Sequence, residues 1–191
     1  TAADTMTAVE DLYAPYKPKR RTRASIAREK GLQGLADMIL TQARTPGDAQ
    51  KMALGFLNEQ VETVDDALAG ARDITAETIS DSAEVRASTR RKAMQFGTLT
   101  SEYIEDAKDE KSVYATYYEF TSQVSRLRPH QVLAINRGET EKVLRVKVTV
   151  DEKDWKSSIV DYYRPDVRSP FCAELEAAIV DAAERLLLPA I

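Results

Sequence analysis

The amino-acid sequence predicts a mainly α, multi-helix assembly that carries a small two-stranded antiparallel β-ribbon. Three observations support this. Apolar residues recur at the helical i, i+3, i+4, i+7 spacing through most of the 191 residues. One stretch departs from that period: VLRVKVTV at 143–150 alternates strictly, with Leu144, Val146, Val148 and Val150 on one side and Arg145, Lys147 and Thr149 on the other. A lone strand leaves its backbone donors and acceptors unpaired, and the best partner is GTLTSEYI at 97–104, rich in Thr and Tyr. The ribbon is therefore placed at about 98–104 with 143–150.

The helices follow in order. Ser25 to Lys30 reads as a short helix stopped near Gly31, and Leu32 to Ala43 as a second with Leu32, Leu35, Ala36 and Ile39 inward. The turn TPGD at 45–48 separates it from a helix reaching about Asn58. Val64, Ala67, Leu68, Ala71, Ile74 and Thr78 form one buried face, and Thr63 with Asp66 resembles a capping box at its start. Asp81 followed by Glu84 opens the next helix in the same manner, and Gly97 closes it. Lys108–Ser112 is a solvated turn, and the aromatic stretch Val113–Phe120 is expected to be helical. Pro129 suits the first position of a short helix, with Gly138 as a left-handed cap. Glu152–Tyr163 and Pro170–Leu188 are the last two helices, divided by RPDVRSP. The organisation expected is a helical part over 1–60, containing the basic segment 17–30, and a second helical part with the ribbon over 61–191, packed as one unit.

Composition narrows the function. With 43% hydrophobic and 30% charged residues the chain has ordinary globular composition. No apolar run approaches the roughly 20 residues of a membrane helix, and the opening TAADTMTAVED lacks a signal peptide's basic and apolar regions. Cys172 is the single cysteine, which excludes an intrachain disulfide and any multi-cysteine zinc site. These features point to the cytosol and to no membrane partner. The chain starts without Met and closes in a helical pattern, as an excised fragment would; an unusual native terminus would present the same pattern.

Charge is segregated along the chain. Between Lys17 and Lys30 stand Lys17, Lys19, Arg20, Arg21, Arg23, Arg28 and Lys30 against the single acid Glu29. The segment is +6, so the remainder is −10 within a net charge of −4. Such segregation suits a polyanion partner. Guanidinium groups bond phosphate oxygens in pairs, counterion release adds salt-dependent affinity, and helix amides near Ser25 are candidates to join an anion site. The rival reading is a solvated basic loop, or arginines spent on structural salt bridges to the acidic remainder. All seven cations are the candidate nucleic-acid-binding residues, with Lys17, Lys19, Arg20, Arg21 and Arg23 ahead of Arg28 and Lys30.

Other candidates favour structure over chemistry. His130 is a lone imidazole without a nucleophile, carboxylate pair or metal partner, so a structural or surface role is expected. Cys172 reads as a small buried hydrophobe and Trp155 as a core residue. Tyr114, Tyr117 and Tyr118 have the chemistry to stack on bases, but only Lys111 lies near them in sequence, so core packing is expected. The acid pairs Asp65–Asp66 and Asp109–Glu110 read as solvated. No phosphate loop, HExxH or GxSxG motif is present. No catalytic residue, metal or cofactor is assigned, and no enzymatic activity is expected.

Four stretches carry a family resemblance: VEDLYAPYKPKRRTRASIAREKGLQGLA at 9–36, ALAGARDITAETISD at 67–81, SRLRPHQVLAINRGE at 125–139 and AERLLLPAI at 183–191. Together they span nearly the whole chain and resemble the Tex family of bacterial transcription accessory proteins. The sequence departs from the family at Gln33–Gly34 and is less typical over 102–112. The resemblance implies a fragment covering the end of an N-terminal region and a helical central domain. Such a fragment lacks the family's RNase-H-like domain, helix-hairpin-helix motifs and C-terminal RNA-binding barrel. It implies association with RNA or DNA through the full-length protein, a role in transcription or its regulation, and contact with the transcription machinery. For this piece the expectation is a helical scaffold, to which the charge segregation adds a phosphate-contacting basic patch. The alternative is an architectural module that docks other domains and touches no nucleic acid.

Overall fold

The structure is a computed structural model that describes residues 5–13, 16, 21–109 and 111–190. Its elements run α1 (Met6–Tyr13), α2 (Arg23–Glu29), α3 (Gln33–Thr41), α4 (Ala49–Ala53), α5 (Val64–Asp81), α6 (Ala83–Phe96), β1 (Thr98–Tyr103), β2 (Glu119–Gln123), α7 (Pro129–Thr140), β3 (Leu144–Thr149), α8 (Glu152–Tyr163) and α9 (Cys172–Asp181). The fold is mainly α, as the periodicity predicts. The chain divides into two compact units, residues 1–89 with 156–191, and residues 90–155. The boundary near residue 60 read from the sequence falls inside the first unit, at a single antiparallel bridge between Asn58 and Val61.

The first unit is built on α5, which packs against α2, α3, α4 and α9. Thr63 caps it: the hydroxyl accepts from the Asp66 N–H at 3.1 Å and donates to the Asp66 carboxylate at 2.7 Å. The expected face is buried at Ala67, Leu68, Ala71 and Ile74, but burial widens beyond it to include Thr75, Ala76, Glu77, Ile79 and Ser80. Two of the buried hydroxyls are satisfied within the helix, Thr75 by the Ala71 carbonyl and Ser80 by that of Glu77. α3 and α9 both pack on it, and Leu32, Leu35, Ile39, Phe171, Leu175 and Ile179 are buried. After α9 the helix continues as a π turn over Ala182–Leu187, with Ala182, Ala183 and Leu187 buried.

Two helix starts differ from expectation. The helix after α5 is capped by Ser82, not Asp81, which is the last residue of α5; the Ser82 hydroxyl accepts from the Val85 N–H at 3.3 Å and donates to Glu84 at 3.0 Å. A hydroxyl both donates and accepts, so Ser82 can serve the backbone and Glu84 together. The first described basic helix starts at Arg23 with Thr22 as its cap, three residues ahead of Ser25.

The second unit holds the sheet. β1 pairs antiparallel with β3 in the register Thr98↔Thr149 to Tyr103↔Leu144, so the ribbon stands where the alternation placed it. The sheet has a third strand, however: β2 pairs with the other edge of β1, from Thr98↔Gln123 to Glu102↔Glu119. The aromatic spacing predicts helix over Val113–Phe120, which overlaps this strand. Only Ala115–Tyr117 forms a helical turn, of the 3₁₀ type, because β1 has two edges and the second is satisfied by β2. Tyr114, Val143 and Leu144 form the buried cluster of this unit, with Ala107, Tyr117, Tyr118 and Val146 packed against it.

Gly138 corrects another expectation. It lies inside α7 rather than at its cap, and the left-handed residue after the helix is Lys142, at φ 57°. Glycine is required there for close approach. A Cβ at 138 would lie 2.6 Å from Leu144 Cδ1, 2.9 Å from Leu144 Cγ and 3.1 Å from Tyr114 Cδ1. Gly138→Ala is therefore expected to destabilise the protein by about 1–3 kcal/mol through overpacking, despite alanine's better helix propensity. Urea unfolding measures this; a variant as stable as the parent would contradict the packing.

Candidate nucleic-acid interface

Lys17, Lys19 and Arg20 lie outside the described residues, so the structure speaks to Arg21, Arg23, Arg28 and Lys30. Thr22 organises them. Its hydroxyl accepts from the Ser25 N–H at 3.0 Å, and the Ser25 hydroxyl takes the Thr22 N–H at 2.9 Å, a reciprocal capping box. This box engages the amide at Ser25 that the sequence offered to an anion.

The four cations are not equivalent. Arg28 donates to Glu77 at 3.0 Å and to the Gln33 side chain at 3.1 Å. Glu77 is only 7% exposed, so this pair joins α2 to the interior face of α5. Arg21 reaches Glu29 at 3.3 Å in a pair whose side chains are both well exposed, a geometry that contributes little stability. Arg23 is exposed and acts on Asp73 through space. Burial pushes the Asp73 carboxyl above the ordinary carboxylate range, against the pull of Arg185 and Arg23. Lys30 is half-buried, and its carbonyl accepts from Asn58 at 3.0 Å. Arg21, Arg23 and Arg28 are all exposed, but Arg28 is also bonded to a buried acid of α5.

Next to Arg28 opens a cleft of about 770 Å³ lined by Asp11, Tyr16, Glu77, Asp81, Glu84 and Tyr163 among others. Asp11 is held by Arg86 at 2.8 Å. Four acids stand in the lining, two of them, Asp11 and Glu77, paired with arginines. Arg23 lines a second, smaller cleft together with Asp73, Glu77, Asp81 and Arg185. Among the described residues no group of His, Cys, Asp and Glu is arranged to hold a metal ion, and no described helix is long and apolar enough to cross a membrane.

The tyrosines belong to the core of the second unit. Tyr114 is buried and donates to Glu141 at 2.8 Å. Tyr118 donates to Asp109 at 2.8 Å, with its ring 4.5 Å from that of Tyr103; Tyr117 meets Phe120 edge-on at 5.4 Å. The sequence read Asp109 as a solvated turn acid, yet it accepts from Tyr118 and from the Val113 and Tyr114 N–H groups, both at 2.9 Å. Burial opposes its ionisation, but these hydrogen bonds outweigh that and hold the carboxyl below its ordinary value. The matching bond pushes the Tyr118 phenol up to about 12. Spacing alone could not reveal Asp109: its partners come from the loop that follows it. His130 is exposed at the second position of α7, Cys172 is half-buried rather than fully so, and Trp155 is buried as expected.

Comparison with known proteins agrees with this architecture. Residues 45–182 match the family described as Tex central region-like. The uncharacterized protein YdcI of Bacillus subtilis is 38% identical over 188 residues, 96% of this chain and 26% of that protein. The transcriptional accessory protein Tex of Neisseria gonorrhoeae is 39% identical over 153 residues, 80% of this chain and 20% of its own length. The human S1 RNA-binding domain-containing protein 1 is 28% identical over 197 residues, covering 95% of this chain and 19% of that protein. The chain thus spans about a fifth to a quarter of the length of these relatives.

The Asp109–Tyr118 bond is open to titration. The raised phenol pKa contributes stability that is fully present below the ordinary value of 10 and is lost as pH rises through about 12. Asp109→Asn is expected to return Tyr118 toward 10, read as the tyrosinate absorbance difference against Tyr118→Phe. An unmoved titration would rule out the pairing as the cause.

Proposed function

The chain belongs to the Tex family through its central region, and on that footing we propose that it is the helical scaffold of a transcription accessory protein, with the Lys17–Lys30 segment contacting nucleic-acid phosphate. The observation that carries the reading is the concentration of six net positive charges in that segment of an otherwise acidic chain. The exposure of Arg21 and Arg23 on either side of the Thr22 cap supports it. Arg28 has a different part in this reading, tying α2 to Glu77. Two relatives lend weight: one is named a transcriptional accessory protein, another for an S1 RNA-binding domain. Because the chain is a minor share of their length, binding of RNA or DNA by the intact protein, contact with the transcription machinery and a cytoplasmic location are all parts of the proposal. The reading includes no catalytic step, metal or cofactor.

A purely architectural role is favoured by the Arg28–Glu77 and Arg21–Glu29 pairs, which draw cations of the same segment inward or onto neighbouring acids. Charge reversal separates the two. In the intact protein, Arg20→Glu, Arg21→Glu and Arg23→Glu together are expected to weaken nucleic-acid binding and to lower the salt slope of the affinity by roughly 2–3. Unchanged affinity and slope would refute the phosphate role, and a loss of thermal stability alone would support the architectural one.

A further inference from the structure

A second basic surface lies in the other unit, around the start of α7. Residues 120–138, FTSQVSRLRPHQVLAINRG, form the longest run in the sequence without an acid. The run carries Arg126, Arg128 and Arg137 and the only histidine of the chain, His130. Arg137 is paired with Glu141 at 2.8 Å. Arg126 and Arg128 are not: among the described residues neither guanidinium has a carboxylate within ion-pair distance, and both side chains are exposed.

Arg23, Arg145 and Arg164 are likewise exposed with no carboxylate at ion-pair distance among the described residues, but none of them stands two residues from another such arginine. In the first unit Arg28, Arg44, Arg72, Arg86, Arg168 and Arg185 each hold an acid. No acid stands within 120–138 to pair with Arg126 or Arg128, and both side chains are exposed.

The backbone that presents them is fixed. Arg126 ends a 3₁₀ turn, and Leu127 and Arg128 are extended, at φ −64°, ψ 133° and φ −87°, ψ 149°. The Leu127 N–H donates to the Val124 carbonyl at 3.2 Å, and its side chain is half-buried, anchoring the segment. The Arg128 N–H donates to the Gln131 side chain at 2.9 Å, and its carbonyl accepts from the Gln131 and Val132 N–H groups. The two Cα atoms therefore stand at most about 7 Å apart, on a segment held at both ends. Paired, unneutralised guanidinium groups on a rigid backbone suit neighbouring phosphates of one strand, since little ordering entropy is lost on contact.

We propose that Arg126 and Arg128 form a second phosphate-contacting site, with a nucleic-acid backbone as its ligand. The proposal rests on the reading that the intact protein engages nucleic acid, and it assigns part of that contact to the second unit. It is independent of the Lys17–Lys30 segment.

The test neutralises the pair, Arg126→Gln with Arg128→Gln, in the intact protein. Binding to a labelled single-stranded RNA and to a labelled DNA duplex is followed against salt. Two lost phosphate contacts lower the slope of log affinity against log salt by about 1.4 on the single strand or about 1.8 on the duplex. Arg126→Lys with Arg128→Lys keeps the charge and is expected to retain most of the slope, which guards against a folding artefact. Arg145→Gln with Lys147→Gln removes two exposed cations from β3 and is expected to leave the slope unchanged. An unchanged slope in the Arg126/Arg128 neutralised pair, or an equal fall in the β3 control, overturns the site while leaving the broader reading intact. No salt-dependent binding by the parent protein overturns both.

Discussion

The second half of α5 sets the terms for the first unit. From Ile74 to Ser80 nearly every position is buried, including Thr75, Glu77 and Ser80. A helix enclosed on this scale must satisfy its polar side chains from within or import partners for them. Thr75 and Ser80 bond carbonyls of their own helix. Glu77 cannot, and a buried carboxylate without a cation is expensive. Arg28 supplies the charge and the Thr22 hydroxyl adds a contact at 3.4 Å, so the placement of α2 and its cap is coupled to one acid on α5. The same logic recurs where Arg72 meets Glu174, and where Arg185 on the π turn meets Asp73 and Asp181.

This coupling explains why the basic segment divides as it does. A row of cations reads as one feature in the sequence, but helical geometry assigns its members to different faces. Arg28 falls five residues after Arg23, more than one turn on, and points at the α5 acid. Arg21 precedes the cap and lies outside the helix. The net charge of the segment is one quantity, while the charge available to a ligand is another and smaller one. In the second unit Arg126 and Arg128, within the acid-free run, have no ion pair among the described residues.

Much of the fold was legible because it depends on local period. The face of α5, the Thr63 cap and the pairing of β1 with β3 all follow from spacing and residue type. What was not legible depends on residues distant in the chain. β2 exists because β1 offers a second edge, and the sequence EFTSQ gives little periodic sign of it. Gly138 looked like a helix cap because glycines often are, yet it is needed for the approach of Leu144 and Tyr114. Of the candidate site, the segregation of charge was visible in the sequence, but the commitment of Arg28 to Glu77 spans 49 residues and was not. The Asp109–Tyr118 bond was hidden in the same way, since a turn acid and a solvated acid look alike until the loop closes on one of them.

The first unit is assembled from two separated stretches of chain, and the buried hydroxyls of Thr89 and Ser158 meet at 2.7 Å between the end of one and the start of the other. This has a consequence in time. During synthesis α2 and α3 precede α5 and can cover one of its sides at once. The α9 side waits until residues 90–155 have been made, a delay on the order of 3–13 s at ordinary rates of chain elongation. Through that interval the part of α5 that packs on α9 lacks that cover. The nascent protein passes through a half-built stage whose lifetime is set by the ribosome rather than by the intrinsic speed of helix packing.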